Sequence, residues 1–239
     1  MKKTTLVCRG SCRAFTLVEL LAVLAIVAIL SAILIPTLGR VRSQATAAQC
    51  ANGMRQIGVS MHLYVNDNGG RLPGPLWSEQ GVVYRSSGGV IVQEGHLIAF
   101  LAPYFDEPHQ EDGWGNARNI DAFLCPAWLE SKGFSEGERV DKGIPYQAET
   151  LYFGHKRSDV DLQTEPKLMV MVPEPARIAA FFETDAEDGT YYGNTGNSRL
   201  AETPVHGSFR HYLFFDGSVR AVSLEDQAEQ QEYQSSWVN

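Results

Sequence analysis

The stretch that decides the fold runs from Phe15 to Ile35 and reads FTLVELLAVLAIVAILSAILI. It contains one charged residue, Glu19, and neither glycine nor proline. As a helix, these 21 residues would be about 31 Å long, close to the roughly 30 Å of hydrocarbon in a bilayer. Because apolar residues would cover every side of this helix, the pattern predicts a membrane-embedded segment rather than an amphipathic helix of a soluble domain.

The charges around this segment predict its orientation. The first fourteen residues contain Lys2, Lys3, Arg9 and Arg13 but no acid, whereas the chain of 239 residues has a net charge of −8. Removing these four leaves 16 basic against 28 acidic residues. Since basic flanks stay in the cytoplasm, we expect a cytoplasmic N-terminus and an exported, acidic body. The acidic body also argues against nucleic acid as a partner.

Two ordinary targeting signals are alternative explanations of the apolar stretch. A cleaved signal peptide has a shorter apolar core, of about 7–15 residues, and the Ala45–Ala47 pair that could mark its cleavage site lies beyond Arg40 and Arg42. A permanent signal anchor is the stronger alternative. Neither explains Glu19, because a carboxylate in a membrane costs several kcal/mol unless it is paired or near the interface.

The string AFTLVEL, residues 14–20, resembles the cleavage and methylation site of type IV pilins and type II secretion pseudopilins. The resemblance implies that prepilin peptidase removes residues 1–14 by cutting between Ala14 and Phe15, and that Phe15 is then N-methylated. It also implies that Glu19 pairs with the terminal amine of a neighbouring subunit during assembly. The family usually has glycine before the cut, so Ala14 predicts slower cleavage.

The apolar pattern changes beyond Pro36, which matches a proline that commonly kinks the pilin helix. Apolar residues now recur every three or four positions, which predicts that the helix continues over residues 36–66 with one buried stripe. The stripe consists of Cys50, Met54, Ile57, Met61 and Tyr64. The turn-forming sequence of residues 66–70, NDNGG, should end the helix. A globular domain would then occupy residues 67–239.

Short apolar runs predict a sheet in this domain. Asp216-Gly217 between the runs 212–215 and 218–222 is a strong hairpin signal. Further strands are predicted at 82–85, 90–93, 146–153, 168–172 and 178–184, and a short helix at 96–104. The whole pattern predicts an α+β, pilin-like fold in which a long N-terminal, membrane-embedded helix packs on a C-terminal antiparallel sheet.

A second resemblance lies near the C-terminus. His206, nine intervening residues and Asp216-Gly217 resemble the His-X9-Asp-Gly motif of a large subgroup of pilin-like proteins, described as associated with prepilin processing. That subgroup tends to carry a cysteine near the end of the long helix and a Cys-Pro in mid-chain, which Cys50 and Cys125 match. By the residues alone, export would allow a disulfide between them, and two buried thiols are an equal alternative. Residues 72–165 match neither resemblance and are expected to vary.

An oxygen-rich loop is the candidate metal site. Asp185, Glu187 and Asp188 offer carboxylates of the kind calcium prefers, and several secretion pseudopilins bind calcium in a C-terminal loop. A solvated acidic loop is the favoured alternative, because the spacing matches no EF-hand. No other cofactor is expected. The common hydrolase and phosphate-binding motifs are absent from the sequence, and Asp216 is explained by its turn, so we do not expect an enzyme.

These features favour a structural subunit of a type IV pilus-like filament or a type II secretion pseudopilus. It would cross the inner membrane once, with its globular domain in the periplasm or in an extracellular filament. Its partners would be prepilin peptidase and other pilin or pseudopilin subunits. A membrane-anchored extracytoplasmic binding module on a pilin-type anchor is the alternative, with Trp77, Trp114 and Trp128 as ligand contacts, and a tethered enzyme is a third hypothesis. Only the filament subunit requires Glu19 and cleavage.

Overall fold

We describe the fold from a computed structural model, in which the described residues are 16–87, 90–91, 95–105, 117–134, 146–155, 164–185 and 201–235. The chain divides into two compact units, Met1–Arg42 and Ser43–Asn239. Helix α1 (Leu17–Asp67) contributes residues to both units. The leader of residues 1–14 and the cleavage site, Ala14 and Phe15, lie outside the described residues.

The first unit consists, in its described part, of the N-terminal portion of α1. All of its described residues are exposed except Ser31, which is half-buried. The helix continues through Pro36, and the hydroxyl of the next residue, Thr37, donates a hydrogen bond of 2.7 Å to the carbonyl of Leu34. The predicted long apolar helix is therefore confirmed, whereas the kink at Pro36 stays a prediction.

In the second unit, α1 buries one face. Cys50, Met54, Ile57 and Met61 are at most 2% exposed, and Tyr64 is half-buried, so the predicted stripe is confirmed. The helix ends at Asp67, at the predicted turn.

Two glycines allow this face of α1 to approach its neighbours closely. A Cβ atom on Gly53 would lie 2.6 Å from the carbonyl oxygen of Ala122, and one on Gly58 would lie 2.8 Å from Leu213 Cδ1. Both distances are shorter than real Cβ contacts. The Ala122 oxygen belongs to the backbone, so the packing requires glycine at position 53, whereas a Cβ at position 58 would require the Leu213 side chain to move. The close approach at Gly53 brings the segment before Cys125 against α1.

The described strands form two antiparallel sheets. They are β1 (Glu79–Gln80), β2 (Val83–Ser87), β3 (Val90–Ile91), β4 (Ala117–Asn119), β5 (Tyr146–Ala148), β6 (Ala179–Glu183), β7 (Phe209–Phe214) and β8 (Val219–Ser223). The larger sheet has the order β1-β5-β6-β7-β8, and the smaller has β3-β2-β4. The predicted α+β, pilin-like fold is confirmed, as are both predicted hairpins, β2–β3 and β7–β8.

Short helices connect the strands. They are α2 (Leu97–Leu101), α3 (Pro126–Ser131), α4 (Thr150–Phe153) and α5 (Gln227–Ser235), with 3₁₀ turns at Ala102–Tyr104, Asp121–Phe123 and Met169–Met171. The core between α1 and the larger sheet contains buried aromatic side chains, among them Phe123, Trp128, Phe181 and Phe215. The helix predicted at 96–104 is confirmed by α2 and the 3₁₀ turn that follows it.

Two strand predictions were wrong. The run 168–172 contains the 3₁₀ turn Met169–Met171. Among the described residues, its sheet-type pairing is limited to one isolated bridge between Leu168 and Arg71. A strand needs a continuous ladder of hydrogen bonds, which one bridge does not supply. The run 146–153 is a strand only as far as Ala148. The Glu149 side chain then accepts a hydrogen bond from the Leu151 N–H and starts α4.

Candidate functional site

The first candidate site is the start of α1, where the pilin-type resemblance places Glu19. Thr16 Oγ1 accepts a hydrogen bond from the Glu19 backbone N–H at 3.2 Å. In return, Glu19 Oε2 accepts from the Thr16 N–H at 3.0 Å and from its hydroxyl at 2.9 Å. This reciprocal capping box satisfies groups that a helix start leaves without a partner. Glu19 thus has a local role within one chain, which our sequence reasoning missed although Thr-x-x-Glu signals it.

The following turns of α1 present apolar side chains in every direction. Each large apolar residue from Leu17 to Val41 is more than half exposed. An apolar surface this large marks a contact with a membrane or with other proteins. The length and apolar composition of the helix allow it to cross a membrane. It is therefore compatible with a single-pass membrane anchor.

The second candidate site is a buried group in the globular unit, which we call the Cys–Glu–His cluster. Its members are Cys50, Cys125, Glu183 and His206, and their sulfur, oxygen and nitrogen ligand atoms all lie within 4.8 Å of one another. Cys50 lies on α1 and Cys125 precedes α3, while Glu183 ends β6 and His206 lies in the turn before β7. Four separate parts of the second unit therefore converge on one point.

A disulfide joins the two cysteines, with an S–S distance of 2.10 Å. Both residues are at most 2% exposed. Cys125 has extended backbone angles and is followed by Pro126 at the start of α3, because proline suits the first helical position and disfavours helical angles in the residue before it. The sequence left open whether Cys50 and Cys125 are two buried thiols or a disulfide. The structure contains the disulfide, which joins α1 to the start of α3.

Glu183 is the acceptor at the centre of the cluster. Its Oε1 lies 3.1 Å from His206 Nε2 and 3.2 Å from His211 Nδ1, and its Oε2 accepts from the His211 backbone N–H at 2.8 Å. Burial raises the pKa of Glu183, but the hydrogen bonds and positive charge of the two histidines outweigh it and lower the pKa to about 2. The carboxylate is therefore ionised in the folded protein at neutral pH.

The His-X9-Asp-Gly residues lie in two different places. Asp216 and Gly217 form the β7–β8 turn, where Asp216 Oδ1 accepts from the Ser218 N–H at 2.8 Å and Gly217 has a φ of 84°. His206 instead faces Glu183 and lies 3.5 Å from Cys125 Sγ. The turn before β7 directs the His206 imidazole into the cluster. The motif itself therefore does not form one site.

The candidate calcium loop begins at a buried ion pair. Both carboxylate oxygens of Asp185 accept from the Arg210 guanidinium, at 2.7 and 2.8 Å, and both side chains are at most 5% exposed. Arg210 also donates to Gln227 on α5. Glu187 and Asp188 lie outside the described residues, so the calcium site stays a prediction.

Sequence reasoning singled out His206 and the cysteines but missed how they combine with Glu183. The signal for Glu183 is its position as the only charged residue of the apolar strand AAFFE. Arg210 gave a similar signal, since it lies among buried residues of β7. A charged residue within a buried strand is rarely stable unless it is paired, so each should have prompted a search for a partner.

Comparison with known proteins agrees with the site at the start of α1. An α+β fold with a long N-terminal helix, apolar over its first part, is compatible with a single-pass anchored protein that carries a globular domain. Residues 9–35 match the prokaryotic N-terminal methylation motif, the signature of type IV pilins and pseudopilins. This motif indicates a structural subunit rather than an enzyme, and implies processing by prepilin peptidase and assembly with other pilin subunits. No curated protein and no solved structure matches the chain significantly.

Proposed function

We propose that this protein is a structural subunit of a type IV pilus-like filament or a type II secretion pseudopilus. The observation that carries the proposal is the methylation motif of residues 9–35 at the head of a helix whose first part, from Leu17 to Val41, exposes apolar side chains on all sides. A membrane covers such a surface before assembly, and neighbouring helices cover it in a filament.

The orientation follows from charge. The four basic residues within the first fourteen favour a cytoplasmic N-terminus, because basic flanks resist translocation. The acidic globular unit would then lie in the periplasm or, after assembly, in an extracellular filament. Prepilin peptidase would cut between Ala14 and Phe15 and leave a new terminal amine next to Glu19.

Glu19 would then have two roles that can be separated. As a capping residue it hydrogen-bonds to Thr16, and as a buried anion in a helix bundle it would pair with the terminal amine of a neighbouring subunit. The first role needs a hydrogen-bond acceptor, which glutamine also supplies in a capping box. The second role needs a negative charge, because an ammonium group in a low-dielectric bundle is costly when unpaired.

The decisive experiment compares Glu19→Gln with Glu19→Ala in cells that contain the assembly machinery. We expect both variants to be inserted into the membrane and cleaved, because neither change adds charge to the helix. We also expect both to lose filament formation and subunit crosslinking. Normal assembly of Glu19→Gln together with failure of Glu19→Ala would assign Glu19 to helix capping alone.

Processing gives an independent test. We expect N-terminal mass analysis of membrane-extracted protein to show a chain that begins at N-methylated Phe15. A chain that keeps Met1, or that begins at Ala48, would contradict the pilin-type anchor. A processed wild-type protein that never assembles beside active machinery would favour the alternative, an anchored extracytoplasmic binding module. Of the tryptophans considered for that role, Trp128 is buried in the core and Trp77 is half-buried, while Trp114 lies outside the described residues.

A further inference from the structure

We propose that the Cys–Glu–His cluster, once its disulfide is reduced, is a tetrahedral Zn²⁺ site in which the metal takes the place of the Cys50–Cys125 bond. The donor set would be two thiolates, one imidazole nitrogen and one carboxylate oxygen, all of which zinc binds in proteins. The site goes beyond the filament role and does not depend on it.

Two of the distances between donor atoms are already close to those of a zinc tetrahedron. With Zn–S bonds of about 2.3 Å and Zn–N and Zn–O bonds of about 2.0–2.1 Å, the S···N edge should be about 3.6 Å and the N···O edge about 3.4 Å. The Cys125 Sγ···His206 Nε2 distance is 3.5 Å and the His206 Nε2···Glu183 Oε1 distance is 3.1 Å. Two edges of the tetrahedron are therefore nearly in place before any metal binds.

The two sulfurs must separate, and the structure has space for this. Bound to one zinc they would lie about 3.8 Å apart, instead of the 2.10 Å of the disulfide. A cavity of about 10 Å³ adjoins both Cys125 and Glu183, with Trp128 and Val205 on its wall. This is about the size of one water-sized sphere. Rotation of the Cys125 side chain toward the cavity would lengthen the S···S distance.

Outer contacts would hold the ligands in place. The second oxygen of Glu183 accepts from the His211 backbone N–H at 2.8 Å, so Oε1 can turn to the metal while the carboxylate stays anchored. The His206 ring stacks on Phe209 with ring centroids 5.4 Å apart, which fixes its plane. Metal-ligating side chains are usually held by such second contacts.

The same geometry argues against a catalytic cysteine. In a nucleophile–base–acid arrangement, the histidine uses one ring nitrogen for the nucleophile and the other for the carboxylate. Here Cys125 Sγ and Glu183 Oε1 both face Nε2 of His206. A sulfur and an oxygen that face the same ring nitrogen are arranged like three ligands of one metal ion. They are not arranged to pass a proton from the cysteine through the histidine to the carboxylate.

The chemistry balances with a thiol as the reductant. Two small-molecule thiols reduce the disulfide to two cysteine thiols and are themselves oxidised to one disulfide. Zn²⁺ then displaces three protons to solvent, which are the two thiol protons and the proton that His206 Nε2 donates to Glu183 Oε1. The imidazole keeps its proton on Nδ1, so that Nε2 offers a lone pair. A small-molecule disulfide would reverse the sequence: it oxidises the two thiolates to the Cys50–Cys125 bond, is itself reduced to two thiols, and the metal is released. Either the disulfide or a zinc ion can link α1 to the rest of the globular unit, but not both at the same time.

The test uses the full-length protein in detergent with Cys8→Ser and Cys12→Ser, so that Cys50 and Cys125 are its only cysteines. The protein is reduced with a phosphine, freed of reductant and titrated with Co²⁺ without oxygen. We expect one Co²⁺ per chain, with the visible and charge-transfer absorption of tetrahedral thiolate cobalt, and displacement by one equivalent of Zn²⁺. The oxidised protein should show neither. Absence of these bands from the reduced protein would overturn the proposal.

Variants in the same background test the two other ligands. We expect His206→Gln and Glu183→Gln to weaken Co²⁺ and Zn²⁺ binding by at least about tenfold to a hundredfold. His62→Gln is the matched control, because His62 is an exposed histidine on α1 and should leave binding unchanged. Equal binding by all three variants would mean an adventitious ion only, held by the two thiols.

A measurement without ligand variants decides the matter if those variants misfold. In the reduced Cys8→Ser, Cys12→Ser protein, one equivalent of Zn²⁺ should slow both alkylation of Cys50 and Cys125 and the return of the disulfide under mild oxidant. Calcium at the same concentration should not, because thiolates are poor ligands for it. Alkylation and oxidation rates unaffected by Zn²⁺ would also overturn the proposal.

Discussion

The two parts of α1 have the same backbone but opposite surroundings. From Leu17 to Val41 its large apolar side chains are all more than half exposed, whereas from Cys50 to Met61 its apolar stripe is buried. The difference lies in how apolar residues are spaced. In the first part they surround the helix, which suits a bilayer or a helix bundle. In the second they recur every three or four positions, which suits one protein face.

A helical backbone alone therefore does not determine which part of α1 belongs to the folded domain. Stability measured on the globular unit should respond strongly to changes on the buried stripe and hardly at all to the same changes in the apolar segment. Assembly should show the reverse dependence.

The largest expected effect comes from one substitution made in both parts. Ile57 is 0% exposed and Ile26 is 58% exposed. Ile57→Ala should lower the free energy of unfolding by about 2–5 kcal/mol, because it leaves a cavity in the core. Ile26→Ala should change it by less than about 0.5 kcal/mol. Urea unfolding of the full-length protein in detergent, followed by tryptophan fluorescence, measures the free energy of unfolding of both variants. Equal losses of stability in the two variants would contradict the division into two units.

The next effect concerns the Cys50–Cys125 disulfide, which links α1 to the rest of the globular unit. The disulfide closes a loop with a sequence separation of 75 residues, so Cys50→Ala with Cys125→Ala should lower the free energy of unfolding by about 4 kcal/mol. The same urea experiment, run without reductant and with a chelator, measures it. Cys8→Ser with Cys12→Ser is the control and should be neutral. Identical midpoints for wild type and the Cys50, Cys125 double variant would show that the bridge does not stabilise the fold.

The third prediction concerns two buried carboxylates with opposite pKa shifts, in the oxidised, chelator-treated protein. The pKa of Glu183 is lowered from 4.5 to about 2, so its contribution of about 3 kcal/mol should be present above pH 4.5 and lost as pH falls toward 2. Burial raises the pKa of Glu149, although the Leu151 N–H and Lys167 partly oppose it. Ionised Glu149 therefore destabilises the fold, and stability from this residue grows as pH falls.

Unfolding free energy measured from pH 7 to pH 2 separates the two carboxylates. Glu183→Gln should make the loss of stability in acid shallower, and Glu149→Gln should make it steeper. The same change of slope in both variants would show that the assigned surroundings of one carboxylate are incorrect.

The smallest expected effect compares two glycines of α1. Gly53→Ala should cost about 1–3 kcal/mol, because its Cβ would lie 2.6 Å from the Ala122 carbonyl oxygen. Within the single chain, a Cβ on Gly39 would have nothing within 4 Å, so Gly39→Ala should instead raise helix stability by about 0.5–1 kcal/mol. Unfolding of the domain measures the effect of Gly53→Ala, and the helical circular dichroism signal measures the effect of Gly39→Ala. A neutral Gly53→Ala would contradict close packing at this turn.

The parts of the protein that depend on local sequence pattern could be predicted without the structure. An unbroken apolar run predicted the exposed part of α1, and three- and four-residue spacing predicted its buried stripe. Asp216-Gly217 predicted the β7–β8 hairpin. In each case the residues that decide the outcome are close together in the chain, so the pattern carries the physical cause with it.

The Cys–Glu–His cluster could not be predicted from local pattern, because long-range packing forms it. The pairing of Phe182 with Tyr212 between β6 and β7 brings Glu183 beside His211. The close approach of α1 at Gly53 brings Cys50 to Cys125, and the turn before β7 adds His206. These contacts join residues far apart in sequence, and they depend on strand register and on the distance between packed elements, neither of which a local pattern encodes.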